Sequence, residues 1–373
     1  MLKPVTLLSS QCKNSVTKLL CKGCLSQLQK TQSRTAFNIF QKWGKKTEPV
    51  SPSNYSVVKA GKVSPFRTVP EEIEMPDYAH SGIPIMAPQR KVFLLDHASI
   101  ECMREAGRLG RKLLDLTASC IEVGVTTDHL DEVLHQACID NKAYPSTLNY
   151  NSFPKSLCTS VNNVMVHGIP DDRPLEDGDI ITADITVYLN GFHADLSETY
   201  QVGNVDDAGK RLIKYAKKCR DEAIKECGPD VPISAIGNMI SRIAAEGNYY
   251  VCPSFIGHGI NTYFHCKPDI WHYANSYPER MAAGMTFTIE PVILERVDRM
   301  VTGNDNWTVY AQNHTRSAQF EHTVLITKSG FEVLTAGKDE DFTITAKEES
   351  VSMVEDQEKS IQKDEWTFSD QKT

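Results

Sequence analysis

The chain has 373 residues, 40% hydrophobic and 24% charged, with a formal net charge of -8. That composition excludes a low-complexity chain and leaves room for one large or two ordinary domains. No apolar run approaches the roughly 18 residues that a membrane helix needs, and neither a membrane span nor sequence-specific nucleic-acid binding is expected.

Charge is distributed unevenly. Residues 1–47 hold nine Lys or Arg and no acid, with Val16, Leu19, Leu20 and Cys24 at helical spacing opposite Lys13, Lys18 and Lys22. A basic, acid-free, amphipathic start predicts an organelle transit segment that is cleaved, with a basic arm touching nucleic acid or ribosome as the competing reading. Eleven cysteines, scattered apart from Cys21-Lys-Gly-Cys24, read as free thiols rather than a disulfide framework, and the lone pair lacks the partners of a zinc knuckle. Residues 48–95, rich in Pro and Ser, read as a linker or a strap over the core surface. From Asp339 to Thr373 eleven acids face four bases with no apolar pattern, which predicts a disordered acidic tail. The catalytic domain is expected over 96–338.

Within it the order helix, helix, strands occurs twice at an offset of 106 residues. Helical segments are predicted around Ile100–Cys120 and Asp206–Cys227. Each is followed by a second helix, one capped by Thr126 or Thr127 with a stripe of Leu130, Val133, Leu134, Ala137 and Cys138, the other opened by Ser234 with Ile236, Met239, Ile240, Ile243 and Ala244. Two such halves would bury their apolar sheet faces by joining strands into one curved antiparallel sheet with four helices behind it, an α+β architecture.

Between the two helix pairs lies the most informative stretch, Ile180 to Tyr200. Asn190-Gly191 supplies the two positive-φ positions of a two-residue hairpin turn. With Leu189 opposite Phe192, Thr186 faces Asp195 and Asp184 faces Ser197, so Asp184 and Asp195 are diagonal neighbours on one face. Ile181, Ala183, Ile185, Val187 and Leu189 form the opposite, core-facing side. A solvated face is the ordinary reading of such a polar side, and the remaining motifs count against it. His167 precedes a Gly-Ile-Pro step, and His258 sits between glycines with His265 seven residues on. Glu290 and Glu321 occupy strand-like runs whose composition disfavours a carboxylate. A buried carboxylate is costly unless paired or bound to a cation, and neither strand core contains Lys or Arg. Four negative charges with one neutral imidazole would balance two divalent cations, and an oxygen-rich set with one nitrogen suits Mn, Fe, Co or Zn. Asp195 and Glu321 are natural bridging carboxylates for a two-metal site.

The strings HGIP, D-x-T-V-Y-x-N-G-x-H-x-D, GHGI followed by FH, FTIEP and SAQFEHT, in this order over residues 78–336, resemble the type I methionine aminopeptidases of the pita-bread fold, with the mitochondrial branch nearest. Only 24 residues separate His265 from Glu290, too few for the helical insertion of the type II enzymes. The resemblance implies that Asp184, Asp195, His258, Glu290 and Glu321 hold two divalent metal ions, with Asp195 and Glu321 bridging. It further implies that His265 contacts the scissile amide and that His167 positions substrate. Tyr150, Phe153, Cys158, Phe264 and Trp307 would receive the methionine side chain, and Asn162, Val164 and Ser317 would surround a structural Na or K ion.

The implied reaction is removal of the initiator methionine, with Glu290 carrying a proton to the leaving amine and small second residues favoured. The implied setting is the mitochondrial matrix, on nascent chains with a free initiator methionine and near the ribosome. Val166, Ala194, Asn261 and Thr147 depart from residues usual in relatives, and none is a ligand position. A Xaa-Pro aminopeptidase of the same fold, or a non-catalytic binding member, is the competing reading; the first usually has a large N-terminal domain and the second would be expected to have lost ligands.

Overall fold

The computed structural model describes residues 55–342. The transit-type segment, the Cys21/Cys24 pair and the part of the acidic tail from 343 onward lie outside the described residues.

Among the described residues four helices form as the apolar stripes dictate. Helix α1, His97–Ala118, is capped by the Asp96 side chain, and α2, Thr127–Asp140, by Thr126, whose hydroxyl accepts the His129 N–H. Helix α3, Asp207–Ile224, begins at an Asp206 cap and is followed by α4, Ser234–Glu246. A side-chain oxygen at the first three of these ends satisfies a backbone donor that the helix itself leaves unpaired.

Between the helix pairs run β1 (Tyr144–Pro145), β2 (Cys158–Val161), β3 (Val164–Val166), β4 (Ile180–Leu189) and β5 (Phe192–Gln201). After α4 come β6 (Tyr250–Val251), β7 (Gly257–Gly259), β8 (Cys266–Ile270), β9 (Thr286–Ile289), β10 (Val292–Leu294), β11 (Met300–Thr302), β12 (Val309–Ala311), β13 (Ser317–Gln319), β14 (His322–Ile326) and β15 (Phe331–Val333). The hairpin β4–β5 has the register that the Asn190-Gly191 turn demands, with Leu189 opposite Phe192, Thr186 opposite Asp195 and Asp184 opposite Ser197. Asn190 and Gly191 take φ values of 51° and 82°.

Two apolar clusters reproduce the duplication. Helices α1 and α2 cover the core side of the hairpin, with Ala106, Leu113 and Leu134 among Ile181, Ile185, Val187 and Leu196. Helices α3 and α4 cover the second half through Leu212, Ala216, Ile236 and Ile240 against Phe287, Ile289, Ile293 and Val324. The strands do not pair as one uninterrupted sheet. They form four ladders: β5-β4-β2 with β1, β13-β10-β6, β11-β12-β3, and β15-β14-β9-β7-β8. One break falls at Glu290-Pro291, between β9 and β10, where proline has no N–H to offer a ladder. The other falls at Phe320-Glu321, between β13 and β14, where Glu321 bridges instead to Ser197 of the hairpin. Thr323 closes that junction, its hydroxyl accepting the Asp195 N–H at 3.0 Å and donating to the Asp195 carbonyl at 2.8 Å.

Residues 55–95 run largely extended along the outside of this core. Val58 N–H donates to Asn163 Oδ1 at 2.7 Å and Gly61 N–H to Asp171 Oδ2 at 2.6 Å. Ser64 donates to Asp128 at 2.6 Å and Arg67 Nε to Asp131 at 2.9 Å. Further on, the buried Tyr78 donates its hydroxyl to the Ser146 carbonyl at 2.6 Å. The segment is therefore bonded to α2 and to the loops that precede the hairpin.

Helix α1 presses against the segment after β15 at Gly107, where a Cβ would lie 2.3 Å from the Leu334 carbonyl oxygen. Backbone cannot retreat as a side chain can, so Gly107→Ala is expected to cost about 1–3 kcal/mol, read as a lower urea midpoint at unchanged m-value.

Candidate metal centre

Each half contributes carboxylates in its own way. Asp184 and Asp195 sit mid-strand on the hairpin, held by unbroken pairing. Glu290 and Glu321 occupy the two breaks in the second half, where the chain turns their side chains toward the hairpin. One oxygen each from Asp184, Asp195 and Glu321 can be chosen so that all lie within 4.8 Å of one another. His258 Nε2 lies 3.5 Å from Glu290 Oε1 and 3.9 Å from Asp195 Oδ2. The five residues picked from the sequence thus face one point.

Hydroxyls orient them. Thr186 donates to Asp195 Oδ1 at 2.8 Å and Thr288 to Glu290 Oε1 at 2.7 Å, while Thr288 Oγ1 also accepts the His258 N–H at 3.0 Å. The His258 Nδ1 lies 3.1 Å from the Gly259 carbonyl. A carbonyl can only accept, so the ring proton is on Nδ1 and the Nε2 lone pair is left facing the carboxylates, the tautomer that a metal-binding imidazole requires.

The electrostatics are unfavourable without a cation. Glu321 is 2% exposed and Asp195 6%, and among the described residues no Lys or Arg pairs with any of the four carboxylates. Glu321 Oε1 is buried without a hydrogen-bond partner. Burial pushes the Asp184 carboxyl up to about 7 and Glu290 up to about 8. Asp195 and Glu321 are driven well above the carboxylate range, first by burial and then by the neighbouring carboxylates. Burial holds the His258 imidazole down to about 4. Close carboxylates, an orphaned buried oxygen and an imidazole lone pair form a donor set that fits divalent cations.

Beside this cluster is an aromatic slot. His265 stacks on Phe264, with ring centroids 4.2 Å apart, and lies 4.1 Å from the His258 ring. Tyr150 packs on both Phe264 and His265 at 4.8 and 5.0 Å. Trp307 meets Phe153 edge-on at 5.2 Å and His167 at 5.8 Å. Cys158 is buried and pairs with Asp184 across β2 and β4. His167 has φ of 55°, in the left-handed region that non-glycine residues rarely occupy, and burial lowers its pKa to about 4. Strain of this kind gathers at functional positions. Asn162, Val164 and Ser317 also meet, Ser317 donating its N–H to the Asn162 carbonyl at 3.1 Å and its hydroxyl to the Val164 carbonyl at 3.2 Å.

Two residues near the site, Tyr78 and His272, carried no signal in the sequence pattern, and a third, His193, stood in the hairpin string without an assigned role. His193 is buried between Phe264 and Tyr78, with centroids 5.3 and 6.3 Å away, and its Nδ1 lies 2.8 Å from the Ser146 hydroxyl. Tyr78, from the extended N-terminal segment, meets Tyr150 at 5.0 Å. His272 Nε2 accepts the Glu290 N–H at 3.1 Å. All three act through contacts distant in sequence, which periodicity cannot register.

A duplicated α+β scaffold that holds five convergent ligand-type residues beside a hydrophobic slot defines a metal-dependent hydrolase. The sequence model for metallopeptidase family M24 matches residues 101–328, and the chain belongs to that family, within it to the type I methionine aminopeptidases of the mitochondrial branch. The mitochondrial methionine aminopeptidase 1D of Mus musculus is 51% identical over 282 residues, spanning 76% of this chain and 84% of that protein. Its counterpart from Danio rerio is 48% identical over 289 residues, 78% of this chain and 85% of that protein. The crystal structure of methionine aminopeptidase from Rickettsia prowazekii superposes with a TM-score of 0.65 at 38% identity, covering 66% of this chain and all of the other.

Protons should exchange for metal here. In the metal-free protein the folded state retains protons that the unfolded chain has lost by pH 6.5, so its stability should fall as pH rises from about 6.5 to 8.5. Bound cations should remove that slope. Calorimetric titration of Mn2+ at pH 7, in buffers of differing ionisation enthalpy, is expected to show net proton release; release of none would contradict the raised carboxyls.

Proposed function

We propose that the chain removes the initiator methionine from nascent polypeptides by hydrolysing their first peptide bond, with two divalent cations held by Asp184, Asp195, His258, Glu290 and Glu321. The observation that carries this reading is the convergence of four carboxylates, with no Lys or Arg among the described residues paired to them, against a slot of Tyr150, Phe153, Phe264 and Trp307. When bound, the cations supply a Lewis acid and an acidified water at neutral pH. Among Mn, Fe, Co and Zn the oxygen-rich donor set leaves the choice open to supply in the compartment.

The remaining work belongs to the chain. The aromatic slot, with the Cys158 thiol, accepts a flexible thioether, since sulfur packs favourably on ring edges. His265 and His167, both neutral by burial, offer hydrogen bonds to the scissile amide that strengthen as charge develops on its oxygen. The Glu290 carboxylate takes a proton from the nucleophile and returns it to the leaving amine. Asp184 faces the free α-amine, which limits cutting to N-termini. Bulk at the second substrate residue is excluded by the rim of the slot.

The Mus musculus and Danio rerio relatives carry mitochondrial names, which supports a mitochondrial protein; the acid-free start supports the matrix in particular, with residues 1–47 removed and 96–338 as the catalytic domain. Work on nascent chains brings the enzyme near the ribosome. A Na or K ion would sit with Asn162, Val164 and Ser317.

Purified protein should release free methionine from Met-Ala-Ser in a metal-dependent manner and leave Ala-Pro peptides intact; cleavage of Ala-Pro alone would transfer the assignment to a Xaa-Pro peptidase. Asp184→Ala is expected to lower kcat/KM on Met-Ala-Ser by more than about a hundredfold, because even residues that only support a ligand cost about 10- to 100-fold. Retained turnover would mean that the polar face of the hairpin is solvated surface.

A further inference from the structure

Glu290 lies outside any strand, between β9 and β10, and side chains hold its main chain. Its N–H donates to His272 Nε2 at 3.1 Å, and its carbonyl accepts from Gln319 Nε2 at 3.2 Å. An amide N–H can only donate, so His272 Nε2 presents a lone pair and the ring proton occupies Nδ1, which is buried without a hydrogen-bond partner. The ring is fully buried.

The segment that carries His272 is itself fixed. The carbonyls of Trp271 and Tyr273 press against Gly237 of α4, where a Cβ would lie 2.2 and 2.3 Å from the two oxygens. Asn275 Nδ2 donates to the Tyr273 carbonyl at 2.8 Å. A continuous contact path therefore runs from the helix layer through the His272 ring to the peptide of Glu290, whose carboxylate lies 3.5 Å from His258. Without the imidazole, that peptide would have a buried N–H and no acceptor, at a break where no ladder bond can replace it.

We propose that His272 is a positioning residue, which fixes the Glu290 peptide and thereby aims its carboxylate at the metal pair and the scissile bond. The inference rests on the reading of Glu290 as ligand and proton carrier given above. His272 touches neither substrate nor metal and acts through Glu290, and misplacement of a reacting group by about 1 Å is enough to cost about a hundredfold in rate.

The test compares His272→Leu, which removes the acceptor, with His272→Gln, whose amide oxygen can replace it. His272→Met, with a sulfur that accepts poorly, is read in the same way as Leu should Leu fail to fold. Each full-length protein is stripped with EDTA and titrated calorimetrically with Mn2+, its Tm is recorded, and kcat and KM are measured on Met-Ala-Ser.

The acceptor-free variant is expected to bind Mn2+ about 10- to 100-fold more weakly and to lose kcat by a similar factor with KM within about twofold, while Gln returns both to within about threefold of the wild type. If acceptor-free and Gln variants retain wild-type Mn2+ affinity and kcat, or lose both equally in step with Tm, the proposal is overturned and His272 only fills the core. Failure of the functional reading would look different: the wild type would release no methionine, and the Mn2+ affinities would still decide whether His272 positions Glu290.

Discussion

Everything in this molecule depends on negative charge kept away from water. Four carboxylates facing one another in a protein interior repel, and a low-dielectric surround magnifies the repulsion. Two half-domains must each deliver a pair of acids to the same point for the arrangement to exist. The scaffold tolerates the conflict because packing elsewhere outweighs it. Two helix pairs bury the apolar sides of the strands, leaving the other sides free to carry groups that destabilise the fold until a cation arrives.

The two halves solve the delivery problem differently. The hairpin carries Asp184 and Asp195 on intact strands, where pairing alone fixes direction. The second half interrupts its strands at Glu290 and Glu321, so each acid depends on tertiary bonds for its aim. Thr323 stitches the Asp195 peptide to β14, and His272 holds the peptide of Glu290. A break in a ladder leaves backbone groups that must be satisfied by other means, and those means then become adjustable supports for the side chain at the break.

How legible this was in the sequence varied with the range of the interaction. The Asn190-Gly191 pair set every partner across the hairpin, because a two-residue turn leaves one register. The cap at Thr126 was equally local. All five ligand-type residues stood out because each is a charged or imidazole group in a context that disfavours it. The interruptions in the sheet did not stand out, although Pro291 is a visible cause of one. Nor did His272 or Tyr78, whose partners lie 18 and 68 residues away and whose local sequence is unremarked by any period.

The extended N-terminal segment has a consequence for the order of events in making the protein. Ser64 and Arg67 bond to Asp128 and Asp131, and Lys155, two residues after Phe153 in the chain, joins them through Ser64 at 2.6 Å. A polypeptide that enters an organelle N-terminus first presents this segment before any of its partners. It must wait in the open until the chain 64 to 91 residues further on has followed, with Tyr78 and its neighbours exposed meanwhile. The slot needs Phe264 and Trp307 and the metal centre needs Glu290 and Glu321, so both are completed only by the second half of the chain, after the segment's own partners have arrived.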